Sequence, residues 1–468
     1  MKASTRLLQP VILLILAIVV AGFHGDSTSA TGLQDVPEPR RDELLNGLRV
    51  ILLPQPGNPN VIIRLRINSG SAFDLDGKSG SMALLGDNLF PDPATRDFFT
   101  EELGGSLDVA TDHDGINVRM VGRAAEFERM IELLRTAVAT APVINENVVR
   151  LRDARIKMIR EMSVAPSFVA DRAIAKRLFG NYPYGKPSAG STETLARVER
   201  ADLLLARDRF LSPDNATLVV VGGVEERRAF RALRQLLGVW RRSDKRVPST
   251  FRQPDAVDNR TLIVDAPDAD SVEIRLAARA VPRVDKDNAA VALLALLARD
   301  RWQAALPDLN KSPFSVRYQS NLLAGIFVMG ASVKTESATA ALDSARKVLR
   351  SLAESQPTVS ELDRVRSEAL AIGTREAGDP AMIAEFWLDV ESYKLDPKAD
   401  RNKAIAKVTA ADIQRVAAQM FRDSDLASVA LGNSTELKTL LERTGKVELL
   451  GETAAPKTPD ATLPSKNL

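Results

Sequence analysis

Apolar residues alternate along some stretches of this chain and recur at helical spacing along others. "GLRVILLP" (47–54) and "VIIRLRIN" (61–68) read as strands. The intervening "QPGNPN" supplies Pro, Gly and Asn, which suits a hairpin connection. In a second hairpin, "GGSLDVATD" (104–112) and "INVRMVG" (116–122) flank the turn His113-Asp114-Gly115. Helical spacing takes over at 124–139, where Phe127, Met130, Ile131, Leu133 and Leu134 share one face. Further helices are predicted over 145–162 and 167–178. Between the hairpins, "GSMALLGDNLF" (80–90) is helical too, with Met82, Leu85 and Leu89 in phase and Gly80 as a start signal. Gly86 and Asp87 fall inside it although both are poor formers, Gly costing about 1 kcal/mol against Ala.

The same order of elements occurs twice. "NVIIRLRINSG" (60–70) and "SVEIRLAARAV" (271–281) share the alternation V-x-I-R-L. "ARVERADLLLARDRF" (196–210) matches "AKVTAADIQRVAAQM" (406–420), and "ATLVVVGGV" (216–224) matches "ASVALGNST" (427–435). The offset is about 210 residues each time, which makes two homologous halves. Separate runs of strands and helices predict the α+β class: two α/β sandwich domains, each an antiparallel sheet backed by helices. Their spans are 31–240 and 261–450. The charged, Pro-containing, aperiodic 241–260 reads as an extended linker, and 451–468 as a disordered tail.

Composition narrows the chemistry. Of 468 residues, 63 are Lys or Arg and 61 Asp or Glu, a balance that gives no electrostatic case for nucleic acid. Lys2 and Arg6, an apolar core from Val11 to Phe23, and Thr28-Ser29-Ala30 make residues 1–30 a secretory signal peptide, with an uncleaved membrane anchor as the alternative. A bacterial periplasm fits that leader. There is no cysteine, so packing alone must hold the exported fold. Of two histidines, His24 leaves with the leader, and only His113 remains for metal binding or a catalytic triad. Zinc and copper prefer His or Cys ligands, so no transition-metal site is expected in this chain. "DLDG" (74–77) and "DHDG" (112–115) read as turns, and neither extends to a calcium loop.

Five stretches, in order, resemble the pitrilysin/insulinase-type zinc peptidases, whose inverted motif is HxxEH. They are "NGLRVILLP", "GKSGSMALLGDNLF", "ELGGSLDVATDHDGINVRMVG", "LFGNYPYGKPSAGSTETL" and "FLSPDNATLVVVGGV". The resemblance spans about 44–450. In active members two His on one helix face hold zinc and a Glu activates water. Here those positions carry Ala83, Gly86 and Asp87; the third ligand falls on Met158, with Glu161 as a rival alignment. The resemblance therefore implies a catalytically empty member. Such a chain is half of a four-domain clamshell and pairs with a zinc-bearing subunit that has an intact HxxEH, so zinc is expected in the partner.

The family's carbonyl-polarising Arg and Tyr fall on Pro307 and Phe314, so that pair is lost as well. Arg317 and Tyr318 lie close by, but neighbouring strand residues point to opposite faces. The resemblance also implies a peptide-holding edge strand over Gly104, Gly105, Ser106, Leu107, Asp108, Val109 and Ala110, which would bind substrate through backbone hydrogen bonds. The plainer reading of these residues is a core hairpin. "NYPYGKP" (181–187) reads as a loop packed on the domain interior, and Arg299 and Arg301 as solvated or interface charges. The alternative function is a cell-envelope scaffold with no proteolytic role.

Overall fold

The computed structural model describes residues 38–140, 142–245, 250–307, 313–397 and 400–451. The predicted leader 1–30 and the tail beyond 451 lie outside the described residues, as do parts of the linker and of the stretch between Pro307 and Phe314.

Two six-stranded sheets carry the fold. The first contains β1 (Arg40–Glu43), β2 (Arg49–Pro54), β3 (Asn60–Ile67), β4 (Ser106–Thr111), β5 (Ile116–Arg123) and β6 (Ala216–Gly222). The second contains β7 (Thr261–Asp265), β8 (Val272–Ala280), β9 (Phe314–Gln319), β10 (Gly325–Val333), β11 (Leu426–Gly432) and β12 (Val447–Leu449). Their orders are β1-β2-β6-β3-β5-β4 and β12-β7-β11-β8-β10-β9, so the internal repeat is a repeat of topology in five strands, while the sixth is antiparallel β1 in one sheet and parallel β12 in the other.

The hairpin predicted between 47–54 and 61–68 does not form. β6 inserts between β2 and β3, parallel to the first and antiparallel to the second. Every residue of β6 is buried, so it needs hydrogen-bonded neighbours on both edges and cover on both faces, which only a central position supplies. β11 holds the same place in the second sheet, again parallel to β7. Both sheets are therefore mixed rather than antiparallel. The β4–β5 hairpin forms as predicted, and Asp112 closes its turn by accepting from the Asp114 and Gly115 amides at 2.7 and 2.8 Å.

The helices that matter for the site are α1 (Ser81–Asp87), α2 (Phe127–Arg135), α3 (Asn145–Met162), α4 (Pro166–Phe179), α5 (Arg200–Phe210), α6 (Asn288–Ala305), α7 (Val359–Gly378), α8 (Pro380–Ser392) and α9 (Ala410–Met420). The face predicted for 124–139 is the face used. Phe127, Met130, Ile131 and Leu134 pack on Val118, Met120 and Leu218, each such side chain contributing about 1.5–3 kcal/mol.

The opposite face of each sheet is covered by a helix from the other half. Ile383, Trp387 and Leu388 of α8 lie on Ile51, Val219 and Val221 of the first sheet. Reciprocally, Ala170, Ile174 and Leu178 of α4 lie on Val264, Ala277 and Val429 of the second. Both helices begin with proline at the first turn, where its missing N–H costs nothing. The Arg of the shared V-x-I-R-L alternation tethers each covering helix. Arg275 of β8 pairs with Asp171 of α4 at 2.5 Å, and Arg64 of β3 pairs with Glu385 of α8. Arg66 adds bonds to Glu385 at 2.6 Å and Asp389 at 2.8 Å.

Candidate functional site: the degenerate helix α1

Helix α1 starts abruptly because Gly80 takes a positive φ of 98°, while its Cα side faces Leu195 too closely for a Cβ. The start is capped from outside the helix. Asp74, in the stretch read only as a turn, accepts from the Gly80 and Met82 amides and the Ser81 hydroxyl at 2.7–2.8 Å. Burial pushes the Asp74 carboxyl up to about 6 against those three donors. A cap separated from its helix by six residues leaves no short motif, so only the fold reveals it.

Ala83 is buried. Gly86 faces β4 and β5 so closely that a Cβ there would meet Thr111 Oγ1 at 2.7 Å. Its absent side chain is what lets α1 sit on the sheet, which accounts for a glycine inside a helix. Asp87 is answered by Arg155 of α3, whose Nη2 lies 2.7 Å from both carboxylate oxygens and whose Nε lies 2.9 Å from Oδ2. Arg155 Nη2 also approaches the Ala83 carbonyl at 3.4 Å. Burial pushes the Asp87 carboxyl up, and Arg155 and Arg96 offset part of that rise. Met158 is half-buried one turn beyond Arg155, while Glu161 is exposed and faces Lys157 at 3.9 Å.

A guanidinium thus occupies the ground between α1 and α3 where the resemblance puts a cation. The residues do not fit zinc: Ala83 and Met158 offer no hard or imidazole donor, and Arg155 would repel the ion. Among the described residues, no group of three or more His, Cys, Asp or Glu could hold a metal. His113 is placed elsewhere, its Nε2 3.0 Å from the Lys186 carbonyl and its ring 5.0 Å from Tyr184.

The hairpin turn beside it has a use that the sequence did not signal. Asp114 accepts from the Tyr184 hydroxyl at 2.6 Å, the Leu322 amide at 2.7 Å and the Tyr393 hydroxyl at 3.2 Å. Two of those donors belong to the second half, so the turn locks the halves together. Tyr182 and Tyr184 of "NYPYGKP" pack into the seam against the second sheet, not into the interior of their own domain.

β4 is the free edge of the first sheet and pairs only with β5. Ser106, Asp108 and Ala110 face outward, and Leu107 and Val109 turn to the core. Gly104 and Gly105 precede the strand. Gly104 has a φ of 66°, and a Cβ on Gly105 would strike the Val121 carbonyl at 1.9 Å, so these glycines serve the approach to β5. In the second half, Pro307 is exposed, and Phe314 on β9 stacks edge-on to Trp302 at 6.0 Å. Arg317 reaches Asp171 at 2.9 Å on one face of β9, while Tyr318 donates to the Val281 carbonyl at 3.3 Å on the other. Arg299 and Arg301 are half-buried and paired within the chain. Each makes a two-pronged pair from α6 to α7, with Glu368 and Glu361 respectively, at 2.7–3.0 Å.

Residues 197–369 match the family described as the peptidase M16 inactive domain. That stretch is similar to the M16 inactive domain. The resemblance drawn from the five motifs is borne out, as is the α+β sandwich architecture. Subunit 1 of the mitochondrial cytochrome b-c1 complex of Bos taurus is 23% identical over 211 residues, 44% of this chain and 44% of that protein. The match therefore spans less than half of that relative's length. A Helicobacter pylori protease shares the fold with a TM-score of 0.77 at 18% identity, over 84% of this chain and 99% of that one. The first half of the periplasmic protease PqqL from Escherichia coli does so with a TM-score of 0.69 at 16% identity, over 86% and 93%.

Proposed function

We propose that this chain is a noncatalytic M16 subunit that pairs with a zinc-bearing peptidase of the same family to enclose a peptide-degrading chamber in the periplasm. The observation that carries this reading is the Asp87–Arg155 pair. The fold is kept whole while an ion pair stands where metal, ligands and base would be. The likeness to the first half of PqqL, described as periplasmic, supports the compartment. In this role the chain contributes walls and a free strand edge, and the partner contributes zinc, which polarises the scissile carbonyl and activates water. The test is capture of the tagged mature chain from its native periplasm, with mass spectrometry of what co-elutes. A stoichiometric partner bearing HxxEH supports the pairing, and peptidase activity of the pair but not of the lone chain completes it. Capture of the chain alone refutes it. The relative in the cytochrome b-c1 complex favours a second reading, an assembly role without proteolysis. Co-elution of envelope proteins lacking HxxEH would support that role instead.

A further inference from the structure

The outer face of the first sheet holds a cation, Arg119, that makes no ion pair among the described residues. On β3, β5 and β4 the register sets Arg64, Arg119 and Asp108 side by side. Arg64 and Arg66 are both engaged by α8, through Glu385 and Asp389. Arg119 makes no ion pair or hydrogen bond among the described residues, and its Nε is buried. Asp108, directly across from it, is exposed and does not pair with it. Burial and the neighbouring guanidiniums of Arg66 and Arg119 pull Arg64 down to about 10, as expected where positive charges crowd.

Helix α8 lies over β6 and β3, and the outer faces of β5 and β4 extend beyond it to the free edge. The next outward position on β4 after Asp108 is Ala110, whose methyl leaves the space beside Arg119 open on the diagonal. A strand hydrogen-bonded to that edge would lie two interstrand spacings from β5, about 10 Å. An extended arginine and an acidic side chain together bridge that distance.

We propose that Arg119 is a carboxylate-binding residue for an acidic peptide segment lying along the free edge of β4. The inference rests on the peptide-holding part of the function proposed above and names its charge preference. An arginine is suited to the task because its planar fork holds a carboxylate with two parallel hydrogen bonds. Among the described residues no carboxylate pairs with it, which leaves the fork free for a ligand.

The test uses the full mature chain and three labelled peptides of alanine and valine with a central glutamate, glutamine or lysine, followed by fluorescence anisotropy. The wild type is expected to bind the glutamate peptide about tenfold more tightly than the glutamine peptide, the size of one charge-assisted contact. Arg119→Gln should abolish that preference. Arg119→Glu should transfer the preference to the lysine peptide. The melting temperature of Arg119→Gln should equal or exceed that of the wild type, whereas a structural arginine would lower it. Equal affinity for all three peptides, no binding of any, or an unchanged preference in Arg119→Gln would overturn the assignment. Capture of an HxxEH partner is read independently, so subunit pairing stands or falls separately.

Discussion

Removing Arg155 tests whether an ion pair has replaced the metal as the tie between α1 and α3. The pair is two-pronged, and its side chains are 13% and 23% exposed for Arg155 and Asp87. At about 4 Å between charge centres and an effective dielectric near 20, the attraction is about 4 kcal/mol. Desolvation of both ions takes back a large part of it, so the pair itself stabilises little. Breaking it is another matter, because Arg155→Met leaves Asp87 buried with no hydrogen-bonded counter-charge and only the field of Arg96. Such losses run to about 3–5 kcal/mol, and the partial exposure here places the expected cost near about 3. Asp87→Leu should cost about 1–2 kcal/mol, since Arg155 keeps the Ala83 carbonyl and can reach water. The double variant should return to within about 1 kcal/mol of wild type, because both charges leave together.

The assay is urea unfolding followed by tryptophan fluorescence. The mutual covering of the two sheets makes one cooperative transition the expected baseline. A pH series adds a second readout. Without Arg155 the Asp87 carboxyl rises further above its unfolded value. The penalty is then full above the folded pKa and disappears as pH falls through it, so the deficit of Arg155→Met should shrink from pH 7 towards pH 4. A cost under about 0.5 kcal/mol at pH 7, or a double variant as unstable as the sum of the singles, would refute the reasoning.

Two further outcomes are expected. Restoring the motif with Ala83→His, Gly86→Glu and Asp87→His should not restore zinc binding, because the Cβ at 86 meets Thr111 and Arg155 still supplies a positive charge; stoichiometric uptake by calorimetry would contradict this. The Asp74 carboxyl, raised to about 6, is buried at a cost present above pH 6 and absent below its unfolded pKa. Relative to Asp74→Asn, the wild type should therefore gain about 2 kcal/mol as pH falls from 7 to 4, and a flat difference would count against a buried, ionising cap.

Local periods and turn chemistry were legible without the fold. The helices over 145–162 and 167–178, the β4–β5 hairpin and the doubling of the chain all follow from spacing and self-similarity, which depend on neighbours a few residues apart or on direct comparison. The loss of both imidazoles was equally plain, since a ligand type is written in the residue itself. Tertiary structure decided everything that depends on distant partners. β6 comes some 150 residues after β3 yet splits β2 from β3, because a strand buried on both faces belongs in the centre of a sheet. Nothing local says that α4 and α8 each pack on the other half of the chain. Asp74, Asp114 and Arg155 looked like ordinary polar residues of turns and helix surfaces. Burial gave them their roles, because a charge or a capping oxygen acquires a large energetic effect only when water is excluded and its partner is fixed.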